Sequence, residues 1–374
     1  MAGTEVTIEW AGRPATAWVP EALETSPVPG IEDAATARLT ERAAGAVVRV
    51  GDRLPAGWES PARLLLRAEG MASSNIEGVR APAEAVASAQ LGAGAGPAGW
   101  VADNLDVVRE ALTRPSAPLE ISTLHAWHSR LMHLSSLTPE LIGAFREGQS
   151  WIGGRSPHDA MFVPPPGRYV PDLMDDLVAY ANRIDLDPVV QAAVLHAQFE
   201  TIHPYGDGNG RIGRVLVMWI LARRLGVAVP PPMSTAIARD IGGYLSGLYW
   251  FRAGEQTRWV RWFAEIVERS ATSALEWIGD VQQVLARWRE AVGGLRADAA
   301  GRRLLELLPA YPVITADAAA RELHVSLTAA RTALETLNQR GIVTPYVEAS
   351  ARPGRPVRLW VAGELMELVT DWAA

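Results

Sequence analysis

The chain has 374 residues, a net charge of −7 and 21% charged residues, a balance that suits two or three globular domains and argues against a chain devoted as a whole to nucleic acid. Cysteine is absent, which excludes disulfides, thiol catalysis and thiolate metal sites. Lysine is absent too, every basic side chain being Arg, so a Gly-Lys phosphate loop is excluded and any phosphate must be gripped by backbone and Arg.

The Ala- and Arg-rich usage points to a high-GC bacterial genome. Glu5 and Glu9 stand where a secretion signal would be basic and then apolar, and no apolar run reaches membrane-spanning length. The expectation is a cytoplasmic protein with no membrane partner.

In chain order, residues 1 to about 30 are Pro-rich and read as an extended arm, with Trp10 to Pro20 packing on the main body. Ile31 to Arg49 reads as a helix, and Pro61 to Met71 as a short one with Leu64, Leu65 and Leu66 inward. It leads into Ser73-Ser74-Asn75-Ile76-Glu77-Gly78. Glu77 there meets the unfavourable end of a helix dipole. Two readings stand side by side: Gly78 is a C-cap beside a solvated Glu77, or the acid has a task. Leu91 to Gly99 reads as a loop.

Asn104 to Leu112 and Ser122 to Leu134 are expected helices. Ser122 is taken as the N-cap of the second, with Leu124, Trp127, His128 and Leu131 on one side. The spacing of His125, His128 and His133 does not bring all three together, so they read as structural. Phe145 to Pro166 predicts a β-hairpin that the run Pro164-Pro165-Pro166 ends.

The centre of the chain is His203-Pro204-Tyr205-Gly206-Asp207-Gly208-Asn209-Gly210-Arg211-Ile212-Gly213-Arg214. Apolar helical runs flank it, Val189 to Ile202 before and Val215 to Leu221 after. The polar cluster therefore reads as a loop whose end opens the second helix. His203 offers a base near neutrality. Gly206, Gly208 and Gly210 let a phosphate approach the backbone, and the helix start offers N–H groups to it. One carboxylate, Asp207, together with substrate phosphates is a common way to hold Mg²⁺. Arg211 and Arg214 share a helix face that suits phosphate oxygens. His196 and Glu200 read as packing or hydrogen-bonding residues. The set describes nucleotide phosphoryl chemistry.

Beyond it, Arg239 to Trp250 and Arg258 to Leu275 read as amphipathic helices, with Tyr244 and Tyr249 as core residues or neighbours of a nucleotide base. Trp277 to Val292 is expected to be a further helix. From Gly301 the pattern is helix, helix–turn–helix, then a hairpin, which is the order of a winged helix. Thr315 and Ser326 are its N-caps, Gly341 its stop, and Arg331, Arg352, Arg355 and Arg358 a modest basic footprint diluted by Glu335 and Glu348. DNA binding and protein docking both suit such a module.

The central stretch resembles the Fic family signature, His-Pro-Phe-x-Asp/Glu-Gly-Asn-Gly-Arg-x-x-Arg. It matches at His203, Pro204, Asp207, Gly208, Asn209, Gly210, Arg211 and Arg214, and Tyr205 replaces the Phe. The resemblance covers roughly residues 60 to 265. It implies a mainly α fold, a Fic helical bundle with a β-hairpin flap, to which the pattern from Gly301 adds a C-terminal winged helix-turn-helix domain. The implied organisation is an N-terminal region over 1–110, a catalytic core over 111–275, a linker helix over 276–300 and the winged helix over 301–374.

The implied activity is protein adenylyltransfer, moving AMP from ATP to a Ser, Thr or Tyr hydroxyl of a protein target, itself included. His203 would be the catalytic base and Asp207 the Mg²⁺ ligand. Gly206, Gly208, Asn209, Gly210 and Arg211 would cradle the phosphates, and Arg214 would grip the γ-phosphate. Gly210, where kinase-like relatives carry Lys, favours AMP transfer. Ser73, Glu77 and Gly78 resemble the family's inhibitory motif, whose Glu would pair with Arg214 in the place of the γ-phosphate. Removal of AMP from proteins, and a nucleotide-sensing DNA-binding regulator, are the alternative functions. A homodimer is allowed by this reading.

Overall fold

Val6, Ile8 and Trp10 alternate with Glu5, Thr7 and Glu9, so the first described stretch forms a strand rather than the extended arm expected from its prolines. The computed structural model describes residues 3–24, 33–54, 60–93, 96–296, 299–347 and 358–373. In chain order these form β1 (Gly3–Trp10), β2 (Arg13–Pro20), α1 (Ala34–Arg53), α2 (Ser60–Ile76), α3 (Ala83–Ser88), α4 (Gly96–Thr113), α5 (Ile121–Met132) and α6 (Val170–Ala181). Next come α7 (Pro188–Ile202), α8 (Asn209–Leu225), α9 (Met233–Ala238), α10 (Ile241–Arg252) and α11 (Gln256–Ala291). The last elements are α12 (Ala300–Leu307), β3 (Val313–Thr315), α13 (Ala316–Leu323), α14 (Leu327–Gln339), β4 (Thr344–Val347), β5 (Arg358–Val361) and α15 (Gly363–Ala373). They cluster into two compact units, one of residues 1–51 and 106–271, the other of residues 52–105 and 272–374.

In the first unit, β1 and β2 pair antiparallel around Ala11 and Gly12. Their φ values of 50° and 73° supply the two left-handed residues that a tight hairpin needs. The Trp18 N–H of β2 donates to Val163 O at 2.9 Å, and the Trp10 ring meets Trp151 edge-on at 5.0 Å. The expected packing of this segment on the main body is thus present.

The centre of the unit is α7 with α8. From Val189 to Ile202 every residue of α7 is buried, because apolar residues fall on every side of the helix, with Gln191, His196, Gln198, Glu200 and Thr201 buried among them. Pro188 opens it, and the Asp187 carboxylate accepts from the Val189 and Val190 N–H groups, a strong N-cap. Helix α5 starts with Glu120 at its N-cap, not Ser122, whose hydroxyl instead donates to the Glu120 carboxylate. The expected face holds: Leu124, Trp127, His128 and Leu131 are buried. The hairpin expected over 145–166 is reduced to one antiparallel bridge, Ile152 with Phe162. Gly153 and Gly154, at φ 69° and 70°, coil the chain out of sheet geometry between them.

In the second unit, the order is α12, β3, α13, α14, β4 and β5, and the three strands form an antiparallel sheet of order β3-β5-β4. Thr315 and Ser326 accept from Ala318 N and Ala329 N, as their sequence positions suggested. Glu348, Arg352 and Arg355 of the expected wing lie outside the described residues. The expected loop at Leu91 is a π-helical turn over Ala89–Ala93, and α4 already begins at Gly96. Residues 256–291 are one continuous helix, so the break expected near Trp277 is absent.

Candidate functional site

Helix α7 ends at His203, which adopts the left-handed conformation with φ 51° and ψ 60° while its N–H still donates to Phe199 O. His is among the non-glycine residues that tolerate this region. The turn reverses the chain so that α8 begins only six residues later, at Asn209. Gly208, at φ 78°, is the N-cap of α8, and a Cβ there would lie 3.0 Å from Met132 Sδ. Both its angle and its surroundings call for glycine.

The loop is held by its own side chains. Tyr205 is fully buried. Its N–H donates to Asn209 Oδ1 at 2.8 Å, and the Asn209 amide donates back to Tyr205 O at 2.9 Å. The Asn209 side chain is therefore committed to the loop, and what it can offer a phosphate is its N–H. The Tyr205 ring stacks on His128 at 3.9 Å, and its hydroxyl lies 3.2 Å from His125 Nδ1, the partner that a Tyr in place of Phe requires.

Gly143 N–H donates to His128 Nδ1 at 2.9 Å. That makes Nδ1 the acceptor and leaves the Nε2 proton for Asp207 O, 3.1 Å away, which defines a neutral tautomer. Burial pushes the His128 pKa down to about 4. His133 Nδ1 lies 2.8 Å from Arg130 O in its own helix. The three histidines are structural, as expected.

His203 is half-buried while Gly206 and Asp207 are exposed. The Asp207 carboxylate accepts from the Gly208 N–H at 2.6 Å and lies 4.0 Å from Arg211 Nη2. Arg211 and Arg214 are both buried, and Arg211 Nη2 reaches Met132 Sδ at 3.5 Å. The N–H groups of the first turn of α8, from Asn209 to Arg211, have no acceptor within the helix and point out of its start. His203, Asp207 and Arg211 thus lie along one turn, and Arg214 follows one helical turn further along α8.

Arg146 is a residue of this turn's surroundings that the sequence did not single out. Its side chain donates to His203 O at 2.7 Å, Gly148 O at 2.8 Å, Pro165 O at 2.7 Å and Ile202 O at 3.1 Å. Its own N–H donates to Pro204 O at 2.9 Å. One guanidinium thereby ties the His203 turn to both legs of the flap. Burial lowers its pKa to about 10, so it is charged at neutral pH.

Beside the flap lies a groove of about 700 Å³ lined by Pro14, Thr16, Trp18, Met161, Phe162 and Arg252 among others. The Arg252 guanidinium covers the Phe162 ring at 4.0 Å. Tyr244 is a core residue, its hydroxyl 3.0 Å from His196 Nε2, whereas Tyr249 is exposed. Glu200 and His196 pack behind the signature, where a Cβ at Gly213 would lie 2.5 Å from Glu200 Oε1 and 3.1 Å from His196 Nδ1.

In the second unit, Glu77 is exposed at the end of α2 and Ser73 is buried. Val79 N–H donates to Ser74 O and Gly78 N–H to Asn75 O, with Gly78 at φ 77°. This is a Schellman cap. Gly78 is the C-cap glycine that one reading of the sequence expected, and Glu77 is the last residue before it.

Fold and site define a class: a helical domain in which a His ends one buried helix and a glycine-rich turn opens the next. Residues 118–221 match the Fic/DOC family. That match includes the signature stretch, so this part of the chain is a Fic domain. A probable protein adenylyltransferase of Aquifex aeolicus is 44% identical over 63 residues, which is 17% of this chain and 20% of that protein. The protein adenylyltransferase fic-1 of Caenorhabditis elegans is 27% identical over 162 residues, 42% of this chain and 29% of that one. The chain thus matches less than a third of the length of these curated relatives. The crystal structure of a Fic family protein from Desulfovibrio desulfuricans G20 superposes with a TM-score of 0.56, covering 90% of this chain and 98% of that one at 21% identity. That likeness is one of fold.

Proposed function

We propose that the chain transfers AMP from ATP to a Ser, Thr or Tyr hydroxyl of a protein, itself included, and that Glu77 restrains the reaction. The observation that supports the proposal is the turn from His203 to Arg211, in which a half-buried His203 ends α7 six residues before the first N–H groups of α8. His203 takes the proton of the incoming hydroxyl. The hydroxyl oxygen bonds to the α-phosphorus, the bond to the bridging oxygen breaks, and pyrophosphate leaves. The N–H groups from Gly208 to Arg211, with the two guanidiniums, hold the phosphates.

Asp207, an exposed carboxylate, suits a Mg²⁺ that keeps most of its ligands as phosphate oxygens and water. Among the described residues no group of three His, Asp or Glu stands ready to hold a metal. The ion would neutralise phosphate charge. The groove between β2 and the flap is where an extended segment of the target would lie, since a strand edge docks peptides.

Glu77, with Ser73 and Gly78, is proposed to place its carboxylate against Arg214 where the γ-phosphate would bind. The winged helix is proposed to dock protein rather than DNA. Residues 301–374 carry eight Arg against eight Asp and Glu, a net charge of zero where a DNA-binding module would show a basic face. Its affinity for duplex DNA should then lack a steep salt dependence.

The test is transfer of label from ATP radiolabelled at its α-phosphate, with Mg²⁺, by wild type, Glu77→Gly and the Glu77→Gly, His203→Ala double variant. Weak, strong and absent labelling, in that order, are expected. A silent Glu77→Gly, in itself and in a cell lysate, would sink the transferase reading.

A further inference from the structure

We infer that α15, the helix after the winged sheet, fixes the position of Glu77 through Asn75, which makes Asn75 a positioning residue for the restraint. The inference rests on the proposed inhibitory role of Glu77. All the contacts that carry it lie within the second unit. The Asn75 side-chain amide donates to Ala373 O at 3.1 Å. The last carbonyls of a helix have no partner inside it, and here one is satisfied by a side chain from another helix.

Asn75 stands two residues before Glu77, and its own carbonyl accepts the Gly78 N–H of the Schellman cap. Side chain and backbone of one residue therefore tie the end of α2 both to α15 and to itself. A Schellman cap leaves little local play, so Glu77 moves with Asn75.

Helix α15 is anchored in turn. Trp372 stacks on Trp277 at 4.9 Å, and the Trp277 indole donates to Leu368 O at 3.1 Å. Near the start of α15, the Trp288 indole donates to Glu364 Oε1 at 2.8 Å, and Arg287 pairs with the same carboxylate. Upstream, Ala362 N–H donates to Pro312 O at 2.8 Å, and β5, the middle strand of the sheet, runs directly into the helix. A displacement of the winged sheet is thus transmitted along α15 to the residue that sets Glu77. The partner helix of α2 on its other side is α4, where the Asn104 amide donates to Gly70 O at 3.0 Å and to Ser74 Oγ at 3.3 Å.

The test uses the full chain with Asn75→Ala, Trp372→Ala, and each of these combined with Glu77→Gly. Two readouts are followed: labelled-AMP transfer, and hydrogen exchange of the amides from Glu77 to Val79. Asn75→Ala and Trp372→Ala are expected to raise transfer several-fold over wild type and to speed that exchange. Neither should add to Glu77→Gly. A merely structural loss would instead lower transfer in both backgrounds. Wild-type transfer by both variants beside a strongly active Glu77→Gly overturns the inference. If Glu77→Gly is itself silent, the transferase reading fails, and the exchange then decides alone: unchanged protection in both variants overturns the tie between α15 and α2.

Discussion

The guanidinium of Arg146 donates to four carbonyls, two of them at the turn that carries His203. Lysine cannot reproduce that fork, and each buried carbonyl left unpaired costs about 1–3 kcal/mol. In a Glu77→Gly background, Arg146→Lys should lower AMP transfer roughly ten- to a hundredfold, the scale of a misplaced catalytic group, and should lower the melting temperature. Nothing local in the sequence marks such a residue, because its partners lie up to 57 positions away. The signature itself was legible, since its residue types have few uses in common other than phosphate chemistry. Its division of labour was not: only the structure shows that Asn209 holds Tyr205. At the same turn, His128 adds a dependence on acid. Its folded pKa of about 4 lies below the unfolded value near 6.5. The unfolded chain therefore binds the extra proton, and stability falls as pH drops from about 6.5 towards 4, by up to ~3 kcal/mol. Thermal melts across that interval should show the loss, and His128→Asn should flatten it.

Helices α7 and α8 cross where Gly213 faces Glu200 and His196, with no room for a methyl group. Gly213→Ala should force the pair apart at a cost of about 1–3 kcal/mol, read from denaturant midpoints. Gly78→Ala meets nothing within 4 Å and should lose only about 1 kcal/mol, through its positive φ. The two helices were legible because their apolar runs are long and bounded by polar signals. The first hairpin was not read, although Val6, Ile8 and Trp10 alternate as a strand should, because prolines dominated the view and the turn is Ala-Gly rather than Asn-Gly. Strand β3 spans only Val313–Thr315, too few residues for a period to show. The N-cap at Glu120 makes no side-chain capping bond to the helix N–H groups, so the hydroxyl of Ser122 offered the clearer but wrong signal. The flap was expected as a hairpin from its apolar pairs. Its two glycines at positive φ limit it to one bridge.

Neither compact unit is a continuous stretch of chain: residues 52–105 interrupt the first, and 106–271 interrupt the second. Removing everything from residue 300 onward should therefore not leave an intact remainder. Helices α2 and α3 would lose α15 and β3 as packing partners, and their amides should lose protection from hydrogen exchange. Those of α7 and α8 should keep it, because their surroundings belong to the first unit. Protection retained in α2 would refute the assignment of that helix to the second unit. The interleaving also sets an order in time. A ribosome makes a chain from its N-terminus onward, so the last residue of the first unit, Ala271, emerges well before α15 is made. The turn from His203 to Arg214 can thus be assembled while Asn75 still lacks the carbonyl of Ala373. Under the function proposed above, each newly made molecule passes through an interval in which the turn that would carry transfer is formed and Asn75, which would anchor the restraint, has not yet met Ala373.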